Sequence, residues 1–423
     1  MLTLKVLREN TDYVINRLKI KYFDSEILLK EIIEKDNLRK EIQYKKDSFL
    51  NKLNEISKEI GKYLSQGKKE EAEQAKLQTI EIKETVKELE HQLVFLEKEL
   101  NEKIVRIPNL PHESVPQGRQ AENNVCEKVG GEIPRLDCKK PHWELIKDYD
   151  IIDFELGTKI TGAGFPVYKG KGAKLQRALI SFFLDEAEKS GYLEIQPPLV
   201  VNEDSGFGTG QLPDKEGQMY HVTTDNFYLI PTAEVPITNL YRDMILQEKD
   251  FPIKNVAYSA CFRREAGSWG ADVRGLNRLH QFDKVEIVQI CCPEDSYKIL
   301  EEMKNHVENL LQKLNLPYRI LRLCGGDMSF TSALTFDFEV FSSAQERWLE
   351  VSSVSNFEDF QANRLKLRYK TNIDKKTRLV HTLNGSALAL PRIMAAILEN
   401  NQTKAGIIVP EILRTYTKFD ILN

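Results

Sequence analysis

Between about Leu28 and Leu100 the apolar positions recur with the period of a helix seam. Ile82, Val86, Leu89, Leu93, Leu96 and Leu100 step by 4, 3, 4, 3 and 4 residues. Ile42, Phe49, Leu53, Ile56 and Ile60 keep the same register in the first half. This spacing predicts two coiled-coil helices. The stretch holds no proline, and its glycines are Gly61 and Gly67. SerGlnGlyLysLys at 65–69 interrupts the period, so the helices are expected to fold back as an antiparallel hairpin. At about 1.5 Å per residue, some 35 residues per helix give an arm of roughly 50 Å.

Past the arm the pattern changes. Residues 104–118, IVRIPNLPHESVPQG, carry three prolines and Gly118 and predict an extended linker. Short apolar and β-branched runs follow: GYLEIQPPLVV (191–201), NFYLIPT (226–232), VAYSACF (256–262), KVEIVQI (284–290), PYRILRL (317–323), LTFDFEVF (334–341) and RWLEVSS (347–353). These read as strands. Residues 171–187 read as an amphipathic helix, and 387–400 as another with Pro391 near its start. Few strand–helix–strand crossovers fit between them, which predicts an α+β fold with a mainly antiparallel sheet flanked by helices. The expected organisation is a helical domain over 1–104, a linker over 105–119 and a sheet domain over 120–423.

The 423 residues, 41% hydrophobic and 29% charged, suffice for two or three domains. With 60 basic and 64 acidic residues the net charge is −4, so contact with a nucleic acid must rely on local patches. The arm supplies such a patch. Residues 30–69 carry 11 basic and 7 acidic side chains, against 4 and 9 over 70–100. The two helices should attract, leaving Lys45, Lys46, Lys52, Lys58, Lys62, Lys68 and Lys69 for an outside partner. The plain alternative is a solvated coiled coil whose charges confer solubility. Six cysteines (126, 138, 261, 291, 292 and 324) show neither CxxC pairing nor Cys/His metal spacing. The N-terminus lacks an apolar signal core and no run has the length of a membrane span, so a soluble cytoplasmic protein is expected.

The densest chemistry lies at 261–286, CFRREAGSWGADVRGLNRLHQFDKVE. It sets Arg263, Glu265, Arg274, Arg278, Phe282 and Glu286 about a turn holding Gly267, Gly270 and Gly275. Fixed cations on paired strands can clamp a polyphosphate, and an aromatic face can stack on a purine. A carboxylate at a strand end can hold an ammonium. The same residues could instead form a charged hairpin with surface Arg–Glu pairs. Three further segments match this chemistry: ProThrAlaGlu (231–234), Glu350-Val351-Ser352-Ser353, and Asn384-Gly385-Ser386 followed by Arg392 at a helix start. The second pairs a carboxylate with hydroxyls, which suits Mg²⁺ between phosphates. Singly, each reads as well as a helix cap, strand or helix-surface residue; together they point to a nucleotide and an amino acid bound side by side. No Walker loop is present, because the nearest candidate, Gly164 to Gly172, places Gly172 where Ser or Thr is required. The lone GTG at 208–210 is too little for a dinucleotide site, and GxSxG and HExxH are absent.

In this order and with the arm, the segments resemble the bacterial-type seryl-tRNA synthetases, class II aminoacyl-tRNA synthetases, over essentially the whole chain. The resemblance rests on SerLysGluIleGly (57–61), IPNLPHESVPQG (107–118), ProHisTrpGlu (141–144), ThrAlaGlu (232–234), the stretch 262–286, GluValSerSer (350–353) and ThrLeuAsnGlySer (382–386). It maps motif 1, a dimer interface, onto Gly191 to Pro198, motif 2 onto 262–286, and motif 3 onto 385–399. It implies a homodimer that takes L-serine, ATP with Mg²⁺ and no zinc, and tRNA(Ser), with tRNA(Sec) also charged where present. It further implies that Arg263 is catalytic, contacting the α-phosphate and the substrate carboxylate. Glu265 would face ATP, with Arg264 beside it, and Phe282 and Arg392 would sandwich adenine. Glu350 and Ser353 would carry Mg²⁺, with Val351 and Ser352 between them on the ATP side. Thr232, Ala233, Glu234, Glu286, Asn384 and Ser386 would line the serine pocket with Arg263. The implied chemistry has two steps, adenylation of serine and transfer to the 3′ end of tRNA, with no protein nucleophile.

Arg264 stands where the family often has Ser, and Pro391 where Gly is frequent. Arg264 is expected to point off the clamp, since strand neighbours face opposite ways. Pro391 is tolerable near a helix start, where its missing N–H would be unpaired anyway. Three rivals fit less of the chain. A threonyl-type enzyme wants a Cys/His zinc site, and a carrier-loading adenylating paralogue has no need of the arm. A non-enzymatic coiled-coil protein leaves 120–423 unexplained.

Overall fold

The computed structural model describes every residue except 137–138, 215, 266–273 and 373–374. The chain forms two compact units, Met1–Lys19 with Phe23–Pro108, and Ile20–Tyr22 with Asn109–Asn423.

The first unit is built on helices α1 (Glu26–Ser65) and α2 (Lys69–Ile104), of 40 and 36 residues. Their seam is the heptad pattern. Ile42 packs with Leu93 and Leu96, and Ile56 with Ala75, Ile82 and Val86. Phe49, Leu53, Ile60 and Leu89 are only partly covered, because a two-helix seam has open flanks. Gly67 (φ +75°) makes the reversal, a left-handed position that suits glycine, and the Lys68 N–H closes it on the Tyr63 carbonyl at 3.0 Å. The charge asymmetry appears in the interhelical pair Lys35–Glu99 at 2.6 Å, while Lys103–Glu31 at 2.5 Å joins the helices in the opposite sense.

The second unit is organised by one eight-stranded sheet. In chain order its strands are β1 (Val125–Gly130), β2 (Leu193–Glu194), β3 (Ile253–Phe262), β4 (Gln281–Cys291), β5 (Tyr318–Arg322), β6 (Leu334–Ser342), β7 (Arg347–Asn356) and β8 (His381–Ala389). The spatial order is β1-β5-β6-β7-β8-β4-β3-β2. Each neighbouring pair is antiparallel except β2 with β3, as the α+β reading requires. Helices α3 (Gly170–Lys189), α4 (Ser296–Lys313) and α5 (Leu390–Asn400) supply much of its core. Phe182, Phe183, Met303, Val307, Met394 and Ile397 pack with Val285 and Ile287 of β4. The pleat then turns Phe282, Lys284 and Glu286 to the opposite face.

Three elements differ from the sequence reading. The run 191–201 yields only Leu193–Glu194 and Val200–Val201, since Pro197 and Pro198 cannot donate to a ladder. The helix expected over 387–400 begins at Leu390; residues 387–389 end β8, so Asn384 and Ser386 sit mid-strand rather than at a helix start. Helix α4 was not foreseen, although Ile299, Leu300, Met303, Val307, Leu310 and Leu311 carry helical spacing. Pro391 occupies the first turn of α5 as expected. In the proline-rich stretch, the Asn109 and His112 N–H groups donate to the Phe330 and Ala333 carbonyls at 2.9 and 2.8 Å.

Candidate active site

The sheet face turned away from α3–α5 opens into a cavity of about 580 Å³. Its walls include Thr232, Glu234, Arg263, Glu265, Phe282 and Glu286, together with Glu350, Val351, Ser352, Ser353, Asn384, Ser386 and Arg392. All four sequence segments therefore meet in one place. Two expected members do not line it. Ala233 is buried in an apolar cluster with Ile237, Ala257 and Val288. Arg264 is exposed, and its backbone N–H donates to the Gln218 carbonyl at 2.8 Å. Arg274 stacks on Trp143, 4.8 Å from the ring centroid, and Gly267 and Gly270 lie outside the described residues.

The floor of the cavity is acidic and buried. Glu234 and Glu286 are 6% and 2% exposed. Glu286 is paired with Lys284 at 2.5 Å and accepts from the Ser386 hydroxyl at 3.3 Å. Lys284 went unremarked in the sequence, though its alternation with Phe282 and Glu286 places it on the same face. Glu234 accepts from the Gln361 amide at 2.6 Å. Burial, and then the charge of Glu286, push the Glu234 carboxyl up to about 7, against the opposing pull of Gln361 and Lys284.

The rim is cationic. The Arg263 guanidinium lies 5.2 Å over the Phe282 ring, and its Nε donates to the Pro231 carbonyl at 3.4 Å. Arg392 donates to the Asn277 carbonyl at 3.0 Å and to the Glu350 carbonyl at 2.6 Å. Arg278 pairs with Glu265 at 2.9 Å, and Glu265 holds a left-handed backbone (φ +48°). Asn277 and Arg278 also line the cavity.

The Ser353 hydroxyl donates to Asp337 Oδ1 at 2.5 Å and lies 3.5 Å from Glu350 Oε1. Burial and the charge of Glu350 raise the Asp337 carboxyl well above its usual range. Two carboxylates flanking a hydroxyl form a hard-oxygen donor set, and Mg²⁺ takes one or two carboxylates plus phosphate oxygens, so these residues fit it. Among the described residues no group of three or more His, Cys, Asp or Glu side chains is placed to hold a metal ion.

ProHisTrpGlu acts from behind. His142 Nε2 accepts from the Leu276 N–H at 2.8 Å, so Nδ1 is the donor to Glu399 Oε1 at 2.7 Å. Burial would raise the Glu399 carboxyl, but the bonds from His142 hold it below its usual range. The pair ties the stretch leading into β4 to α5.

Comparisons with known proteins identify the family. Residues 1–111 match the seryl-tRNA synthetase N-terminal domain, and 220–401 the class II tRNA synthetase core domain (G, H, P, S and T). A serine–tRNA ligase from Salinibacter ruber is 49% identical, covering 99% of this chain and 98% of the relative. One from Methylacidiphilum infernorum is 46% identical with both chains fully covered. The crystal structure of a seryl-tRNA synthetase from Pyrococcus horikoshii, complexed with ATP, superimposes with a TM-score of 0.92 at 32% identity, covering 100% of this chain and 99% of that one. Matched by the two domain models over 1–111 and 220–401 and by relatives over 99% or more of its length, the chain belongs to the seryl-tRNA synthetase family, an enzyme family of aminoacyl-tRNA ligases.

Proposed function

We propose that the chain activates L-serine with ATP to seryl-adenylate and transfers serine to the 3′ end of tRNA(Ser), and of tRNA(Sec) where it occurs. The observation that carries this reading is one cavity with an acidic buried floor and a cationic, aromatic rim. A small zwitterion fits such a place, its ammonium toward Glu234 and Glu286 and its carboxylate toward Arg263. Thr232, Asn384 and Ser386 offer groups that pair a hydroxyl; alanine would leave them unpaired. Phe282 and Arg392 offer two planar faces for adenine, and Glu265 faces the ATP side.

In the first step a serine carboxylate oxygen attacks the α-phosphorus and pyrophosphate leaves. Arg263 stabilises the charge that spreads over the phosphoryl oxygens. Glu350 and Ser353, with Asp337 behind them, would hold Mg²⁺, which when bound neutralises phosphate charge. In the second step the 3′ hydroxyl of the terminal adenosine attacks the acyl carbon and AMP leaves. Positioning and electrostatics suffice, and no cysteine is required.

The hairpin of α1 and α2, with its exposed lysines, is the part suited to a tRNA body. A homodimer through 191–198 is supported by β2, which ends the sheet with Leu193 65% exposed. No helix of the described residues is long and apolar enough to cross a membrane, which accords with a cytoplasmic enzyme. Serine-dependent exchange of labelled pyrophosphate into ATP, followed by charging of tRNA(Ser), tests the whole reading. Exchange driven by threonine rather than serine, or no exchange, overturns it.

A further inference from the structure

Gln361 touches the acidic floor from outside the cavity. It lies on the short helix Phe360–Leu365 and is 1% exposed. Its amide is bonded at both ends. Nε2 donates to Glu234 Oε1 at 2.6 Å and to the Thr209 carbonyl at 3.2 Å, while Oε1 accepts from the Thr382 hydroxyl at 2.7 Å. A backbone carbonyl can only accept, so Thr209 decides which end of the amide faces Glu234. Thr382 lies on β8 two residues before Asn384 and four before Ser386, on the same strand face. Thr209 ends the helix Glu203–Thr209. One side chain thus ties a strand and two helices to the carboxylate that opens the helix Glu234–Asn239.

The partner's neutrality matters. Glu286 has Lys284 at 2.5 Å, whereas among the described residues no Lys, Arg or His lies at ion-pair distance from Glu234. The charged groups facing Glu234 are Glu286 and Lys284 of β4, and Asn384 of β8 faces it with an amide. A neutral donor orients a carboxylate without cancelling its charge. The charge of Glu234 is therefore left for an incoming cation.

We propose that Gln361 is a positioning residue, its amide set by Thr209 and Thr382, that aims the Glu234 carboxylate at the ammonium of the amino-acid substrate. This rests on reading the cavity as an amino-acid pocket, and the test separates the two. Pyrophosphate exchange on the full-length protein is measured against serine and against ATP, from pH 6 to 9. Gln361→Met keeps the size and removes every bond. The expected result is a KM for serine raised at least tenfold, a KM for ATP within twofold, and a pH break in the serine KM moved upward. Thr382→Val, which frees the amide to turn, should raise the serine KM by a smaller factor. If wild type shows no serine-dependent exchange, the reading of the cavity falls. If wild type exchanges normally, a serine KM within twofold in both variants overturns the role of Gln361. Equal rises for serine and ATP overturn it too, since they report a loosened fold. Should melting show that Gln361→Met does not fold, Thr382→Val decides by the same criteria.

Discussion

The two units bury charge on different terms. In the first, Asp36 is 2% exposed, and Arg39, Lys40 and Arg8 surround it at 2.8, 2.7 and 3.2 Å. Other charges on the hairpin stand in water or pair across the helices. In the second, Glu234 is also buried and among the described residues has neutral donors but no cation at ion-pair distance, while Lys284 and Glu286 form a buried pair. Desolvating a charge costs several kcal/mol unless it is compensated. The hairpin compensates fully, as a scaffold should. The cavity leaves one carboxylate short of a cation, and the deficit sits where a cationic substrate group would arrive.

Removing the hairpin gives the largest break in that comparison. Replacing residues 28–100 by a short Gly-Ser bridge leaves every cavity residue in place. Serine-dependent pyrophosphate exchange should persist while tRNA charging is abolished. Normal charging by the truncated protein would reduce the hairpin to a structural element.

Glu286→Gln strands Lys284 as an uncompensated buried cation and should lower stability by about 3–5 kcal/mol. Thermal unfolding reads this, and exchange kinetics should show serine weakened far more than ATP. The double replacement Lys284→Met with Glu286→Leu should recover much of the stability and none of the activity. If the single variant melts like wild type, Glu286 is not what compensates Lys284.

Arg263→Ala comes next. With no Walker lysine to share the α-phosphate charge, losing this guanidinium should cost about 3 kcal/mol at the transition state, roughly a hundredfold in exchange rate. The melting temperature should hardly move, because among the described residues the Arg263 guanidinium is bonded to a single carbonyl and one ring face. Exchange within tenfold of wild type would remove Arg263 from the chemistry.

How much was legible in the sequence follows from the range of the interactions. The hairpin was readable because Ile82, Val86, Leu93 and Leu96 meet partners set by a local period, and the break at 65–69 marked the turn. Strands β3 to β7 were readable from their apolar runs. Strand β8 was hidden, because ThrLeuAsnGlySer carries polar side chains toward the cavity and reads as a cap. The cavity's members were found through segment chemistry and resemblance. Lys284, Gln361 and Asp337 were missed because their meaning lies in contacts with Glu286, Glu234 and Ser353. Gln361 to Glu234 spans 127 residues of chain, and no local pattern announces such a bond.

The finest test concerns the lysines of α1. Lys45, Lys52, Lys58 and Lys62 are exposed, as are Lys68 in the turn and Lys69 at the start of α2, whereas Lys46 is partly covered and lies 4.0 Å from Glu90, so the free surplus on α1 is smaller than the sequence count. Lys52→Gln with Lys58→Gln should leave stability within about 0.5 kcal/mol, as surface changes do. Pyrophosphate exchange should not change. Charging should weaken a few-fold at moderate salt, and the dependence of log KM for tRNA on log salt should flatten by about one for each lysine that meets a phosphate. Lys83→Gln with Lys87→Gln, equally exposed but on the acidic helix α2, is the matched control and should change neither quantity. If both double variants flatten the slope alike, general charge rather than the α1 face attracts the tRNA. If neither does, the lysines of α1 serve solubility, and the contrast between the two units rests on the cavity alone.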